Sequence, residues 1–183
     1  MTLTEATLIF ATKLMATTCQ VDPSTNQCMP YDHVVMYDTV EAIVATTDNV
    51  QEVETLVRIA RWESGGFRED IASCKVRGDH GQAQGLFQVH PFSHEEIKLT
   101  CSPNYREQVE VALTRVRDSA AICKMHGLKD SDLLTVYTRG SCHHNDPSAH
   151  LRWGSGKELQ AIVWIDYNVT YSKRPIGYAE AEK

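Results

Sequence analysis

The residues best suited to chemistry fall in two short runs. Trp62-Glu63-Ser64-Gly65-Gly66-Phe67 sets a carboxylic acid against a glycine pair, and some fifteen residues on comes Gly78-Asp79-His80-Gly81-Gln82-Ala83-Gln84-Gly85-Leu86-Phe87-Gln88. Val53, Leu56, Val57 and Ala60 form one apolar stripe of a helix over Val50–Glu63, and at 100° per residue Glu63 points the same way as Val53. A carboxyl on that stripe is expensive to ionise, because desolvation disfavours the charged form. The negative end of the helix dipole acts in the same direction. An acid kept protonated near neutral pH can hand its proton to a departing glycosidic oxygen. The same pattern also suits a buried glutamate that only satisfies a structural hydrogen bond.

Elements on both sides must hold that acid in place. Asp48 or Asn49 is available as the N-cap of the helix, and Gly65-Gly66 ends it where a left-handed cap is needed. Two short strands are expected next, Ile71–Val76 and Gly85–Val89, around the turn-rich Arg77-Gly78-Asp79-His80-Gly81. Such a hairpin would let backbone approach a ligand closely through Gly78, Gly81 and Gly85, with Gln88 offering a side-chain amide. Read alone, the same glycines are those of a tight turn, and Asp79 is a residue that caps its own backbone.

The rest reads as helix. Leu3, Ala6, Phe10 and Leu14 recur at helical spacing, as do Tyr37, Val40, Ile43 and Val44. Asp22–Asn26 is a turn cluster between them. Ser102-Pro103 reads as N-cap and first turn of a helix carrying Val109, Ala112, Leu113, Val116, Ala120 and Cys123. Ser131 opens a short helix with Leu133, Leu134 and Tyr137, and Ser155-Gly156-Lys157-Glu158 is a capping box before Leu159, Ile162 and Val163. The expected fold is α+β, predominantly helical with one small β-hairpin sheet. No linker or repeat divides the chain, so a single domain is expected over residues 1–183, with 1–48 as a helical extension on a core of about 49–172.

Composition excludes several classes of function. A net charge of −6 and the lack of any basic run argue against nucleic acid as the main partner. No stretch approaches the roughly 18 apolar residues of a membrane span. Thr2–Thr18 carries Glu5 and Lys13, which suits an amphipathic helix better than a secretory signal. Cys142-His143-His144 with Asp146 lacks the second spaced pair that a tetrahedral metal set requires, so no metal and no cofactor is expected. Asn168-Val169-Thr170 fits a glycosylation acceptor only if the chain is exported. Trp62, Trp153 and Trp164 suit core or groove-edge packing.

The six cysteines, Cys19, Cys28, Cys74, Cys101, Cys123 and Cys142, are either reduced buried hydrophobes or, if the chain works outside a cell, disulfides. One pairing fails on geometry. A helix from Ser102 to Cys123 would hold Cys101 and Cys123 about 30 Å apart, against the roughly 7 Å a disulfide allows.

Taken together, Glu63-Ser64, Gly81-Gln82-Ala83-Gln84-Gly85-Leu86-Phe87-Gln88-Val89 and Tyr137-Thr138-Arg139-Gly140 resemble the lysozyme superfamily, in particular goose-type lysozymes and the related soluble lytic transglycosylases. The similarity spans about Val50 to Trp153. It implies a lysozyme-like fold and cleavage of peptidoglycan between N-acetylmuramic acid and N-acetylglucosamine. By resemblance Glu63 is the catalytic acid and base, Gly85, Leu86, Phe87 and Gln88 line the groove with Ser64 and Gln84 beside them, and Tyr137 lies near the glutamate. The pattern departs from the family at two places. Thr138-Arg139 stands where Asn and a small residue are common before the glycine, and His90 stands where goose-type enzymes tend to place a second aspartate.

That leaves Asp79 as the one good base for water. An inverting hydrolase needs such a carboxylate about 6.5 to 9.5 Å from the acid. A lytic transglycosylase needs none, since the sugar's own 6-hydroxyl attacks, so the non-hydrolytic route is favoured, with a goose-type hydrolase as the alternative. A non-catalytic wall-binding, virion or secretion-apparatus module is the rival of another class. The expected partner is the glycan strand, with the chain a monomer acting at the bacterial wall as a phage lysin, a virion-borne enzyme or a protein trimmed of its signal.

Overall fold

The computed structural model describes residues 1–17, 31–125, 137, 158–159 and 161–162. Among the described residues these α-helices run in chain order: α1 (Leu3–Thr17), α2 (His33–Thr46), α3 (Val50–Glu63), α4 (Glu69–Ala72), α5 (His94–Thr100) and α6 (Tyr105–Met125). Helix α3 packs against α1, α2 and α6, while α2 also lies along α1 and α6, and α5 packs on α6.

Local chemistry sets the helix ends. Asp32 Oδ1 accepts from the backbone N–H groups of Val34 and Val35 at the start of α2. Asn49 does the same for Gln51 and Glu52 at the start of α3, satisfying donors that have no partner inside a helix. Helix α6 begins later than expected. Asn104 Oδ1 accepts from the N–H of Arg106, so Asn104 holds the cap, and Ser102 instead accepts from Asn104 N–H.

The core is apolar and closed, with Phe10, Val40, Ile43, Leu56, Ile59, Phe67 and Leu86 fully buried. Each such side chain contributes about 1.5–3 kcal/mol by leaving water. In α1 the buried face is Ala6, Thr7, Phe10, Ala11 and Met15. In α2 it is Val35, Met36, Thr39, Val40 and Ile43, which leaves Tyr37 exposed rather than on the stripe expected for it.

Because α3 is buried through most of its length, its polar residues need internal partners. Glu54, fully buried, accepts from Arg58 Nε at 3.0 Å and from the backbone N–H of Leu159 at 2.9 Å. The Arg58 guanidinium also lies 4.9 Å from the centre of the Phe10 ring. One charged pair thus ties α3 to α1 and to the helical residues 158 and 159.

The expected hairpin sheet is corrected here. Among the described residues there is no strand, only two isolated antiparallel bridges, Gly78 with Ala83 and Gln84 with Val89. Ile71 and Ala72 of the supposed first strand lie in α4, and Gly85–Gln88 is a tight turn closed by Gln88 N–H on the Gly85 carbonyl. The cause is the backbone. Cys74, Asp79, His80 and Gln88 have positive φ, as do Gly81 and Gly85, and that many left-handed residues reverse the chain too often for a ladder to extend. The α+β assignment therefore gives way to a helical fold in which two consecutive four-residue loops, 79–82 and 85–88, stand where the sheet was expected.

Cys101 is bonded to Cys74, with Cα atoms 5.5 Å apart, which joins the end of α4 to the end of α5. Closing a loop of 27 residues stabilises the fold by about 3.5 kcal/mol through the unfolded state. The turn cluster Asp22–Asn26, the Ser131 helix start, the Ser155 capping box, Trp153, Trp164 and the Cys142-His143-His144 run lie outside the described residues, as do Asp146 and Asn168. No helix among the described residues is long and apolar enough to cross a membrane, and none of their His, Cys, Asp or Glu side chains form a group able to hold a metal.

Candidate active site

Glu63 is the last residue of α3 and is partly exposed, at the point where that helix leaves the core. The helix end is held from within. Ser64 Oγ donates to the Ala60 carbonyl at 2.6 Å and accepts from Phe67 N–H at 2.7 Å, and Gly66 N–H reaches the Arg61 carbonyl at 2.9 Å. Gly65, Gly66 and Phe67 follow with φ of 63°, 103° and 60°. Gly66 also faces α1 and the segment just before α2: a Cβ there would stand 3.3 Å from both Met15 Cε and Tyr31 Cβ. Ser64, fully buried, thus spends its hydroxyl on the cap that ends the helix after Glu63.

The loop that follows is tied down as firmly. Gln108 on α6 is 2% exposed and uses its whole amide: Oε1 accepts from Leu86 N–H at 2.8 Å, while Nε2 donates to the Ala72 and Ser102 carbonyls at 2.9 and 2.7 Å. It therefore clasps the two segments that the Cys74–Cys101 disulfide also joins. Gly85 sits against this clasp with φ of 69°, where a Cβ would overlap the Thr100 carbonyl oxygen and lie 2.7 Å from Gln108 Oε1. Only glycine fits there.

Gln88 braces the loop from the other face. Its Oε1 accepts from Gly78 N–H at 2.9 Å and its Nε2 donates to the Gly85 carbonyl at 2.8 Å. Gln84 is buried, and its backbone N–H and C=O pair with Val89. Its side-chain oxygen lies beside Thr100 and the Cys101 sulfur. Leu86 and Phe87 are core residues. The sequence run Gly85–Gln88 thus forms the frame of the loop, with Gln88 its partly exposed member.

Tyr137 joins this loop to Glu63. Its hydroxyl donates to the Phe87 carbonyl at 2.7 Å. Burial pushes the phenol well above its ordinary pKa, and the nearby Glu63 carboxylate pushes the same way, against a smaller opposing effect of Arg115. Tyr137 therefore stays protonated and remains a donor. The helix end and the loop, separate in sequence, converge on this one side chain.

Asp79 and His90 mark the open side. His90 Nε2 lies 3.3 Å from Asp79 Oδ2, with both side chains about half exposed. Asp79 and His80 are consecutive left-handed residues, φ 45° and 54°, a costly backbone arrangement of the kind that clusters at functional sites.

Gln108 and Arg115 were not singled out from the sequence. Both lie on α6 in register with Ala112 and Ser119, at spacings of three and four residues, so the continuation of the apolar stripe through polar residues was the signal available. Comparison of the chain with protein-family models, with curated proteins and with solved structures finds no match.

Proposed function

We propose that this chain cleaves peptidoglycan as a lytic transglycosylase, with Glu63 as general acid and then base. The observation that carries this reading is the convergence of Glu63, at the capped end of α3, and Tyr137, bonded to the Phe87 carbonyl, on one partly open corner of the fold. The order and spacing of the lysozyme-like motifs, which name the same two residues, support it.

Glu63 gives its proton to the glycosidic oxygen between N-acetylmuramic acid and N-acetylglucosamine as that bond breaks. The muramic 6-hydroxyl then attacks the anomeric carbon and passes its proton to the Glu63 carboxylate. The products are a free 4-hydroxyl and a 1,6-anhydro end, with no water consumed and the acid restored. Hydrolysis would have to rely on Asp79, which is half-exposed with one oxygen 3.3 Å from His90 Nε2, whereas the transglycosylase route needs no second carboxylate.

Purified sacculi digested with the protein, followed by mass analysis of the soluble fragments, test the proposal. Anhydro ends are expected. Reducing ends would assign a hydrolase using Asp79, and a protein that binds sacculi without releasing fragments would be a wall-binding or assembly module.

A further inference from the structure

Phe92 is 81% exposed, yet its ring is held in place. The Arg115 guanidinium lies under it, 3.9 Å from the ring centre. Arg115 is in turn ion-paired to Glu96, with both side chains only about one-fifth exposed. The other oxygen of Glu96 accepts from the backbone N–H of Phe92 at 2.6 Å, and Ser93 caps α5 by accepting from Glu96 N–H. The ring therefore rests on a guanidinium that is itself held by Glu96, and the same Glu96 holds the Phe92 backbone. An exposed ring with no ligand to meet has no need of such support, since a freely rotating side chain keeps its entropy.

The surroundings decide what the ring is for. Of its chain neighbours only the half-buried Pro91 is apolar, while His90, Ser93, His94 and Glu95 are exposed and polar, so residues 90–95 offer one large exposed apolar face, less than the contiguous patch that a protein partner uses. A pyranose ring has one apolar face of C–H groups of matching size and polar hydroxyls around its rim. Phe92 also lies two residues after His90, the partner of Asp79 at the loop mouth. Arg115, which supports the ring, also acts electrostatically on Tyr137.

We infer that Phe92, held on the Arg115–Glu96 pair, is a stacking platform for a sugar ring of the bound glycan strand. This rests on the peptidoglycan reading and extends it by naming a binding residue. Because the support restricts the ring before the ligand arrives, less ordering entropy remains to be lost on binding.

The test uses the full chain carrying Glu63→Gln, so that glycan is bound and not consumed, with Phe92→Ala and Phe92→Trp added in turn. Binding to purified sacculi and to β-1,4-linked N-acetylglucosamine hexamer is measured by pelleting and calorimetry. Phe92→Ala is expected to weaken binding by about three- to tenfold, with Phe92→Trp at least as tight as the parent. In the active chain the Phe92→Ala loss falls on KM. If the chain releases muropeptides but Phe92→Ala binds and turns over as the parent does, the platform is overturned and the enzymatic reading stands. Binding that depends on Phe92 without muropeptide release supports the platform and overturns the catalytic reading. A chain that neither binds nor cleaves overturns both.

Discussion

The Tyr137 hydroxyl donates to the Phe87 carbonyl across fifty residues of sequence, and the charge of Glu63 is felt at that same phenol. A buried carbonyl on the loop thus receives its hydrogen bond from the side chain that also feels the charge of the proposed acid. Replacing Tyr137 by Phe keeps the ring and removes only the donor. The Phe87 carbonyl would be left without this bond, at a cost of about 1–3 kcal/mol in unfolding free energy. Wall lysis should fall with it, because the loop loses its link to the corner that holds Glu63. Urea unfolding and a lysis assay on the same preparation check this, and an unchanged stability and rate would show that the bond does neither job.

Gly85 is expected to be the least tolerant position of the loop. Alanine there would take a left-handed φ and press its methyl group into the Thr100 carbonyl, with Gln108 Oε1 behind. Backbone cannot yield as a flexible side chain does, so the combined cost is at least about 3 kcal/mol. The midpoint of denaturant unfolding measures it. A loss under about 1 kcal/mol would mean that the clasp between Gln108, Thr100 and the loop is not rigid.

Acid sensitivity has a defined contributor in Glu52. Hydrogen bonds from Arg117, two at 2.9 Å, hold its carboxyl below the ordinary value of 4.5, with Thr47 adding one at 2.6 Å and partial burial opposing. A depressed carboxylate stabilises the fold above its unfolded pKa, and that stability is lost as pH falls through the folded value. Glu52→Gln should therefore be less stable than the parent near neutral pH, by no more than about 1 kcal/mol since Arg117 is exposed. The gap should close as pH falls well below 4.5. Thermal melts of both proteins across that range decide it, and a gap that stays constant with pH would rule out the ion pair as its source.

The helix that carries Glu63 was legible at both ends. A cap at Asp48 or Asn49, the apolar stripe and the Gly65-Gly66 stop each follow from local chemistry, and α3 runs over Val50–Glu63 with Asn49 taking the cap. The loop after it was not legible. Glycines flanking short apolar runs look the same whether they close one hairpin or several tight turns, and nothing local announces that Asp79, His80 and Gln88 take left-handed backbone. The partner of Cys101 was also unreadable, because pairing depends on how α4 and α5 meet. Gln108 was hidden for a similar reason: a glutamine on a helix declares itself a clasp only when three carbonyl and amide groups from distant segments arrive around it. Its place in line with Ala112 and Arg115 was the trace left in the sequence.

The central claim concerns one proton on Glu63, and the most direct measurement is the rate of muropeptide release from purified sacculi by Glu63→Gln beside the parent, with far-UV circular dichroism confirming the fold. Glutamine keeps the size and hydrogen bonding of the side chain and removes the transferable proton. Release should drop by about 100- to 10,000-fold with helix content unchanged. A folded Glu63→Gln protein that releases fragments as fast as the parent would contradict the account.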